Sequence, residues 1–298
     1  MLRKSKLLRL CALIGAGALL ATSGCGEQYF GRLSLVVVDA PVDNAAKVVI
    51  EFTGVEVQPA KGDPIELDFA QPKQIDLLTR EDKLGTTLLD FASLPSDDYT
   101  SIRLKVNAPG GDQSSYIEMK DGTVYPLMLD PGFSDALTLP RDITIGRDEA
   151  RSFNIDFNLR RSVKGPPTSS GDYLFQPVLR MVDSDTAGYI QGDIQPTLIP
   201  SGCAPGIYFF AGSDVTPQDD HPADGNPNSL TSEIPTLNAD TGNYDIDYKG
   251  FPAGDYTVAL TCEADQDNPD TVDNISFIAS QNVTVTSGST AIIHFPPG

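Results

Sequence analysis

The sequence predicts an all-β fold: two antiparallel β-sandwich domains in tandem behind an export signal. Three observations predict it. Apolar and polar residues alternate with period two over most of the chain, which is the side-chain period of a strand with one buried face. Turn formers are abundant, with 26 Gly and 23 Pro in 298 residues. The charge balance also breaks once, near residues 183–188. Residues 186–298 hold one cation, Lys249, against 15 acids, whereas residues 26–185 hold 16 cations and 26 acids. The boundary therefore falls between a first domain at 32–185 and a more acidic second one at 186–298. A formal charge of -20 excludes a nucleic-acid binder that works through clustered cations. With 40% hydrophobic residues, each part can bury a core.

Residues 1–24 come first. They contain Arg3, Lys4, Lys6 and Arg9 and no acid, followed by an apolar run of 12 residues from Leu10 to Ala21. A bilayer-spanning helix needs roughly 20 such residues, so the segment reads as a signal peptide. Its exit, Leu20-Ala21-Thr22-Ser23-Gly24-Cys25, resembles the lipobox of bacterial lipoproteins. That resemblance implies cleavage before Cys25 and acylation of its sulfur and amine, with multiple chains giving firm anchoring. Residues 25–31 then form a short tether that keeps the folded body near the bilayer. Gly26 is not Asp, which by the enterobacterial sorting rule points to the outer membrane. Of the remaining cysteines Cys11 leaves with the signal, so Cys203 and Cys262 are expected to pair in an exported chain. The strand 255–262 places Cys262 on the face of Tyr256, Val258 and Leu260, toward the core. Closing that loop is expected to contribute about 4 kcal/mol.

The first-domain strands are expected at 32–38, 47–52, 99–106, 151–159 and 173–182. Phe153, Ile155, Phe157 and Leu159 share one face, and Asn154, Asp156, Asn158 and Arg160 the other. One face buried and one wet is the antiparallel pattern. Turns are read at Asp39-Ala-Pro41, Ala108-Pro-Gly-Gly111, Asp121-Gly122 and residues 165–171. One helical turn is expected at 79–91, where Leu84, Leu88 and Phe91 are spaced for one side. In the second domain Tyr244/Ile246/Tyr248, Tyr256/Val258/Leu260, Val283/Val285 and Ala291/Ile293/Phe295 alternate, as about seven short strands of a sandwich would.

Several segments carry a family likeness. Residues 33–38 running into Asp39-Ala40-Pro41, then Leu94-Pro95-Ser96-Asp97-Asp98-Tyr99, then Phe153-Asn-Ile-Asp-Phe-Asn-Leu159, then Tyr173-Leu-Phe-Gln-Pro177 occur in the order of the bacterial domain of unknown function 4382 family. The chain resembles it over residues 32–185. The likeness implies an exported or lipid-anchored β domain and no activity. Residues 188–194 and Phe251-Pro-Ala-Gly-Asp-Tyr256 resemble prealbumin-type or carboxypeptidase-regulatory sandwiches, a fold likeness that carries no function by itself.

Catalytic constellations are poorly represented. There is no Gly-x-Ser-x-Gly elbow, and nothing in the sequence orients His221 or His294. No catalytic residue is assigned. Asp39 reads more readily as an Asx-turn than as a ligand for a cation or sugar hydroxyl, and the basic cluster Arg160, Arg161 and Lys164 more readily as a hairpin flank balancing nearby acids than as a site for lipid headgroups or lipopolysaccharide phosphates. Two acidic loops stand out, 214–226 and 263–274. Calcium wants six to eight oxygens, and the second loop offers Asp265, Asp267, Asp270 and Asp273, although Pro269 breaks the EF-hand pattern. No other cofactor is expected. The chain reads as a non-catalytic envelope lipoprotein that meets the membrane through its anchor and binds a glycan or protein partner, or plays a structural role. Its rival is an envelope polysaccharide-active enzyme that uses acidic residues.

Overall fold

The computed structural model describes residues 28–39, 45–78, 85–165, 171–221 and 229–295. The signal peptide, Cys25, residues 40–44 and part of the first acidic loop lie outside those ranges, as does the side chain of Asp39.

In chain order the first module contains β1 (Phe30–Asp39), β2 (Ala45–Pro59), β3 (Ile65–Asp76), β4 (Thr86–Pro95), β5 (Asp97–Asn107), β6 (Tyr116–Met119), β7 (Val124–Leu129), β8 (Thr138–Ile145) and β9 (Ala150–Phe157). After them come the one-turn helix α1 (Leu159–Ser162), β10 (Val163–Lys164), β11 (Tyr173–Phe175) and β12 (Leu179–Asp183). The order β12-β9-β1-β4 makes one sheet, and β10-β11-β7-β6-β2-β5-β8 the other, with β3 paired to β2. Leu33, Leu35 and Val37 of β1 join Phe153, Ile155 and Phe157 of β9, and with Phe52, Ile102 and Leu104 of the larger sheet they fill the core. Phe52 meets Phe157 edge-on at 6.2 Å, and Phe157 stacks on Phe175 at 6.4 Å.

The second module contains β13 (Gly188–Ile194), β14 (Gly206–Ala211), β15 (Thr231–Glu233), β16 (Thr236–Leu237), β17 (Tyr244–Phe251), β18 (Gly254–Thr261), β19 (Phe277–Val285) and β20 (Thr290–Phe295). Its sheets, β16-β17-β13-β20 and β15-β14-β18-β19, enclose Ile190, Ile207, Phe209, Ile246, Val258 and Leu260. Cys203 and Cys262 form a disulfide across 59 residues. Both modules fasten a hairpin in the same way. The Tyr99 hydroxyl donates to the Pro95 carbonyl at 2.6 Å, and the Tyr256 hydroxyl to the Pro252 carbonyl at 2.7 Å. Burial first, and then the Asp97 charge, pushes the Tyr99 hydroxyl up to about 12.

The structure departs from the sequence expectations at five places. Of the expected helical turn at 79–91, residues 86–91 are strand, not helix, and 79–84 with Leu84 lie outside the described residues. Gly85, at φ +82°, stands where a Cβ would lie 2.4 Å from the Val37 carbonyl oxygen, and it feeds the chain into pairing with β1. Register shifts in that pairing and a left-handed Phe91, at φ 41°, interrupt the period of two, so the apolar spacing imitates a helix. Pairing is mostly antiparallel, but β1–β9, β7–β11 and β13–β20 are parallel. The expected strand 173–182 is two strands in different sheets, separated at Pro177, which has no amide to give a ladder. Cys262 lies half-buried at the end of β18, beside the Leu198 carbonyl, rather than in the core. Finally, the face of β9 expected to be wet is covered: Asn154, Asp156, Asn158 and Arg160 are all buried. The second module covers it.

Candidate functional site

The two modules meet through charged side chains. The connection from β12 to β13 is only residues 184–187, tied back where the Ser184 amide donates to the Ser152 carbonyl at 2.9 Å and the Ala187 amide to the Asp183 carbonyl at 2.8 Å. So short a link sets the outer face of the β12-β9-β1-β4 sheet against β14, β17 and the loop after β18.

Asp156 and Arg180 are cross-strand partners on β9 and β12, and they form the first cluster. Arg180 Nε donates to Asp156 Oδ2 at 2.5 Å, and the Tyr248 hydroxyl of the second module donates to Asp156 Oδ1 at 2.8 Å. Thr231 Oγ1 lies 2.8 Å from that hydroxyl, and the Arg180 guanidinium sits over the Phe251 ring at 5.1 Å. Burial, and then the adjacent Asp156 carboxylate, holds the Tyr248 hydroxyl well above its ordinary value. Burial pulls against the Arg180 charge, but Asp156 and Tyr248 outweigh it and its pKa rises.

The second cluster is built on Arg160, in α1. The Asn158 side chain caps this helix by accepting from the Arg161 amide at 3.1 Å. Arg160 donates to the Tyr208 hydroxyl, to the Ala264 carbonyl and, at 3.0 Å, to the Asp267 carbonyl. Its guanidinium lies 3.6 Å from Asp267 Oδ2, with the two side chains 6% and 0% exposed. Tyr208 in turn donates to Asp267 Oδ2, and the Asp220 amide to Asp267 Oδ1 at 3.2 Å. Nearby, Lys164 pairs with Asp270. The basic cluster of the first module is thus a clamp on an acidic loop of the second.

Burial pushes the Asp267 carboxyl up, against the Tyr208 hydrogen bond and the Arg160 charge. Burial likewise lifts Asp220 to about 6, opposed by the Ser229 hydroxyl, which donates at 2.7 Å, and by Arg161. Asp220 Oδ2 is buried and has no hydrogen-bond partner.

The calcium candidates separate. Asp267 and Asp273 come together with Asp219 of the other acidic loop, with carboxylate oxygens of all three within 4.8 Å of one another. Asp265 is exposed, and Asp270 is turned to Lys164. The Asp273 amide donates to Asp219 Oδ2 at 2.6 Å, which already links the two loops. Three carboxylate oxygens are a partial set for a hard cation. His294 pairs with Asp193 across β20 and β13, and His221 stands half-buried beside Asp220. Elsewhere an open groove of about 350 Å³ is lined by Asp214, Val215, Thr216, Pro217, Thr257, Ser280, Gln281 and Asn282. It presents one carboxylate, Asp214, which is engaged by the Asn282 amide group at 2.7 Å. The two raised carboxyls, Asp220 and Asp267, are not part of that lining. Among the described residues no helix is long and apolar enough to cross a membrane.

Sequence reasoning missed Arg160, Tyr208, Asp156, Arg180 and Tyr248 as a set. The available signal was the pairing of opposite charges, Asp156 with Arg180, on the polar face of adjoining strands, where cross-strand ion pairs form.

Comparison with known proteins gives a family match for part of the chain. Residues 30–177 match the family described as Domain of unknown function (DUF4382). No curated protein sequence matches the chain. Among solved structures, the chain is similar to the Bacillus anthracis TIE protein at 10% identity, covering 90% of this chain and 33% of that one, with a TM-score of 0.20. It is similar to GBS52, the minor pilin of Streptococcus agalactiae, at 9% identity, 88% and 94% coverage and a TM-score of 0.19. With the shaft pilin SpaA from Lactobacillus rhamnosus GG the values are 10%, 90% and 98%, and 0.22. The chain spans a third of the length of the first of these. At such scores the likenesses carry no functional argument.

Proposed function

We propose, taking residues 30–177 as a DUF4382 domain, that the chain is a non-catalytic lipoprotein of the cell envelope. A lipidated Cys25 holds it to the outer membrane, and its two modules act as one stiff body that plays a structural role or presents the acidic second module to a glycan or protein partner. The observation that carries this reading is the interface welded by the Arg160–Asp267 ion pair and by the Tyr248 hydroxyl bonded to Asp156, which Arg180 of the same module also holds. Domains joined by a linker usually move against each other. The desolvated Arg160–Asp267 pair and the buried Tyr248–Asp156 hydrogen bond oppose that motion, because parting the modules would strand buried charges. The rival reading, a polysaccharide-active enzyme, needs two carboxyls facing an open cleft. The raised pair here is buried under the interface instead, which supports the non-catalytic reading. Replacement Cys25→Ser tests the anchor: the variant should accumulate as uncleaved precursor or leave the membrane fraction. Normal processing with complete detergent partition would overturn it.

A second reading is favoured by the Asp219, Asp267 and Asp273 cluster together with the unpartnered Asp220 Oδ2. A calcium ion there would tie the two acidic loops. Millimolar calcium should then raise the melting temperature, because a ligand of the native state stabilises it. Magnesium should do less, and Asp219→Asn should abolish the shift. Equal shifts from both ions, or none, would leave Arg160 and Lys164 as the counter-charges this loop pair uses.

A further inference from the structure

We propose that Tyr29, Phe30 and Phe91, with Arg32 and Arg147, form a patch that seats the first module in the interfacial layer of the bilayer. This rests on the reading that Cys25 carries lipid.

Large exposed aromatics are scarce in this protein. Among the described residues Tyr29, Phe30, Phe91 and Phe133 are the exposed large aromatics, and the first three lie along the first half of β1 and the strand β4 beside it. Their exposures are 40%, 49% and 47%. Phe30 and Arg32 sit on β1, whose partners on β4 are Pro95 and Ser93, which places Phe91 two residues further along the same edge. Arg32 lies over the Phe91 ring at 5.7 Å, and Arg147 over the Tyr29 ring at 4.1 Å. The patch is fixed to the fold, since the Phe30 carbonyl accepts from the Asp148 amide and the Tyr29 carbonyl from the Ser96 amide, both at 2.8 Å. Phe91 holds φ 41°, a conformation that bulky side chains rarely adopt, and so stays turned out of the sheet.

The place of this patch in the chain selects its occupant. Cys25 is four residues before Tyr29, and four residues reach about 14 Å at full extension. A lipid on Cys25 therefore holds these rings within the headgroup layer. The Tyr29 ring suits that layer because its body meets hydrocarbon and its hydroxyl meets water, the phenylalanine rings gain by leaving water, and arginine stems lie along it with their charge outward. Asp90 is exposed nearby and Asp148 pairs with Arg147 at 3.4 Å, so the patch carries no strong net charge. Its attraction is apolar and interfacial, and it needs no anionic lipid.

The absence of Trp from the chain makes the test direct. Phe30→Trp, and separately Tyr29→Trp, places a single indole in the patch of the lipidated full-length mature protein. This is reconstituted into phosphatidylcholine vesicles with or without brominated acyl chains. The proposal expects a blue-shifted emission and at least a twofold quenching by brominated lipid, with little change between low and high salt. Phe133→Trp, elsewhere on the first module, should remain unquenched. Protein that floats with vesicles while both patch indoles emit as in buffer would overturn the patch and leave the anchor standing, and a partner protein would then be the patch's occupant. Quenching of the Phe133→Trp variant equal to that of the patch variants would also overturn it. Mass spectrometry of the same preparation reads acylation of Cys25, and an unacylated Cys25 overturns the anchor and the patch together.

Discussion

Replacing Arg160 by methionine is the most discriminating perturbation of the welded interface, because the substitution keeps the volume and removes the charge. The guanidinium supplies hydrogen bonds to Tyr208 and to the carbonyls of Ala264 and Asp267, and it lies 3.6 Å from Asp267 Oδ2. Without it a fully buried carboxylate loses its counter-charge. Breaking one side of such a pair costs about 3–5 kcal/mol. The two carbonyls left short of donors keep the figure at the upper end, at roughly 1–3 kcal/mol per unsatisfied group if nothing relaxes. Asp267 has one escape, which is to take a proton. Its folded-state carboxyl is already raised by burial, and loss of Arg160 raises it further. A carboxyl whose folded pKa exceeds its unfolded value loses stability as pH rises from the unfolded value through the folded one. The Arg160→Met penalty should therefore be largest at pH 7–8 and shrink toward pH 4–5. Urea unfolding followed by tyrosine fluorescence across that pH range measures it. Arg160→Met with Asp267→Asn should recover at least half of the loss, because the orphaned charge is then gone. A single variant within about 0.5 kcal/mol of the parent at every pH, the size of an ordinary surface substitution, would refute the welded interface.

Other outcomes follow from the same geometry. Asp220, at about 6 in the folded chain and roughly 3.9 when unfolded, should make stability fall by about 2 kcal/mol between pH 4 and 6. Asp220→Asn should remove that slope and be the more stable form at pH 7, and identical pH–stability curves for the two proteins would contradict the burial of this carboxyl. Tyr248→Phe deletes the hydroxyl given to Asp156 and should cost about 1–2 kcal/mol in the same unfolding assay, with no loss counting against the contact. Cys203→Ser together with Cys262→Ser should lower stability by about 4 kcal/mol. Intact mass before and after reduction should differ by about 2 Da in the parent, where a bridged pair accounts for two hydrogens.

Strand positions were legible where alternation was clean. Leu33, Leu35 and Val37 announce β1, and Phe153, Ile155 and Phe157 announce β9, because a sheet face that packs a core must be apolar at every second residue. The opposite face of β9 was misread for a physical reason. Asp156 and Arg160 look like water-facing residues, and sequence cannot distinguish water from a second module that meets both with matching polar groups. The bulged strand β4 was unreadable because Phe91 turns left-handed, and no local propensity announces that in a phenylalanine. The disulfide pair was legible from cysteine counting alone. The carboxylate cluster was half legible: acid density drew attention to both loops, but the union of Asp219 with Asp267 and Asp273 depends on a fold that brings residues about fifty positions apart together.

The parallel pairing of β13 with β20 has a mechanical consequence. Gly188 opens the second module and Phe295 is the last described residue of its closing strand, and Tyr189–Ile194 runs beside Thr290–Phe295 in the same direction. Tension applied between those two ends pulls the neighbouring strands past each other lengthwise. The ladder bonds, which cross the gap between strands, then resist together rather than opening one after another like a zipper. The first module is loaded differently, because the chain leaves it from β12, which runs antiparallel to β9 and so ends toward the side on which β1 begins. A pull between Gly188 and Phe295 would thus load the second module in shear, the direction in which a β-sheet yields last.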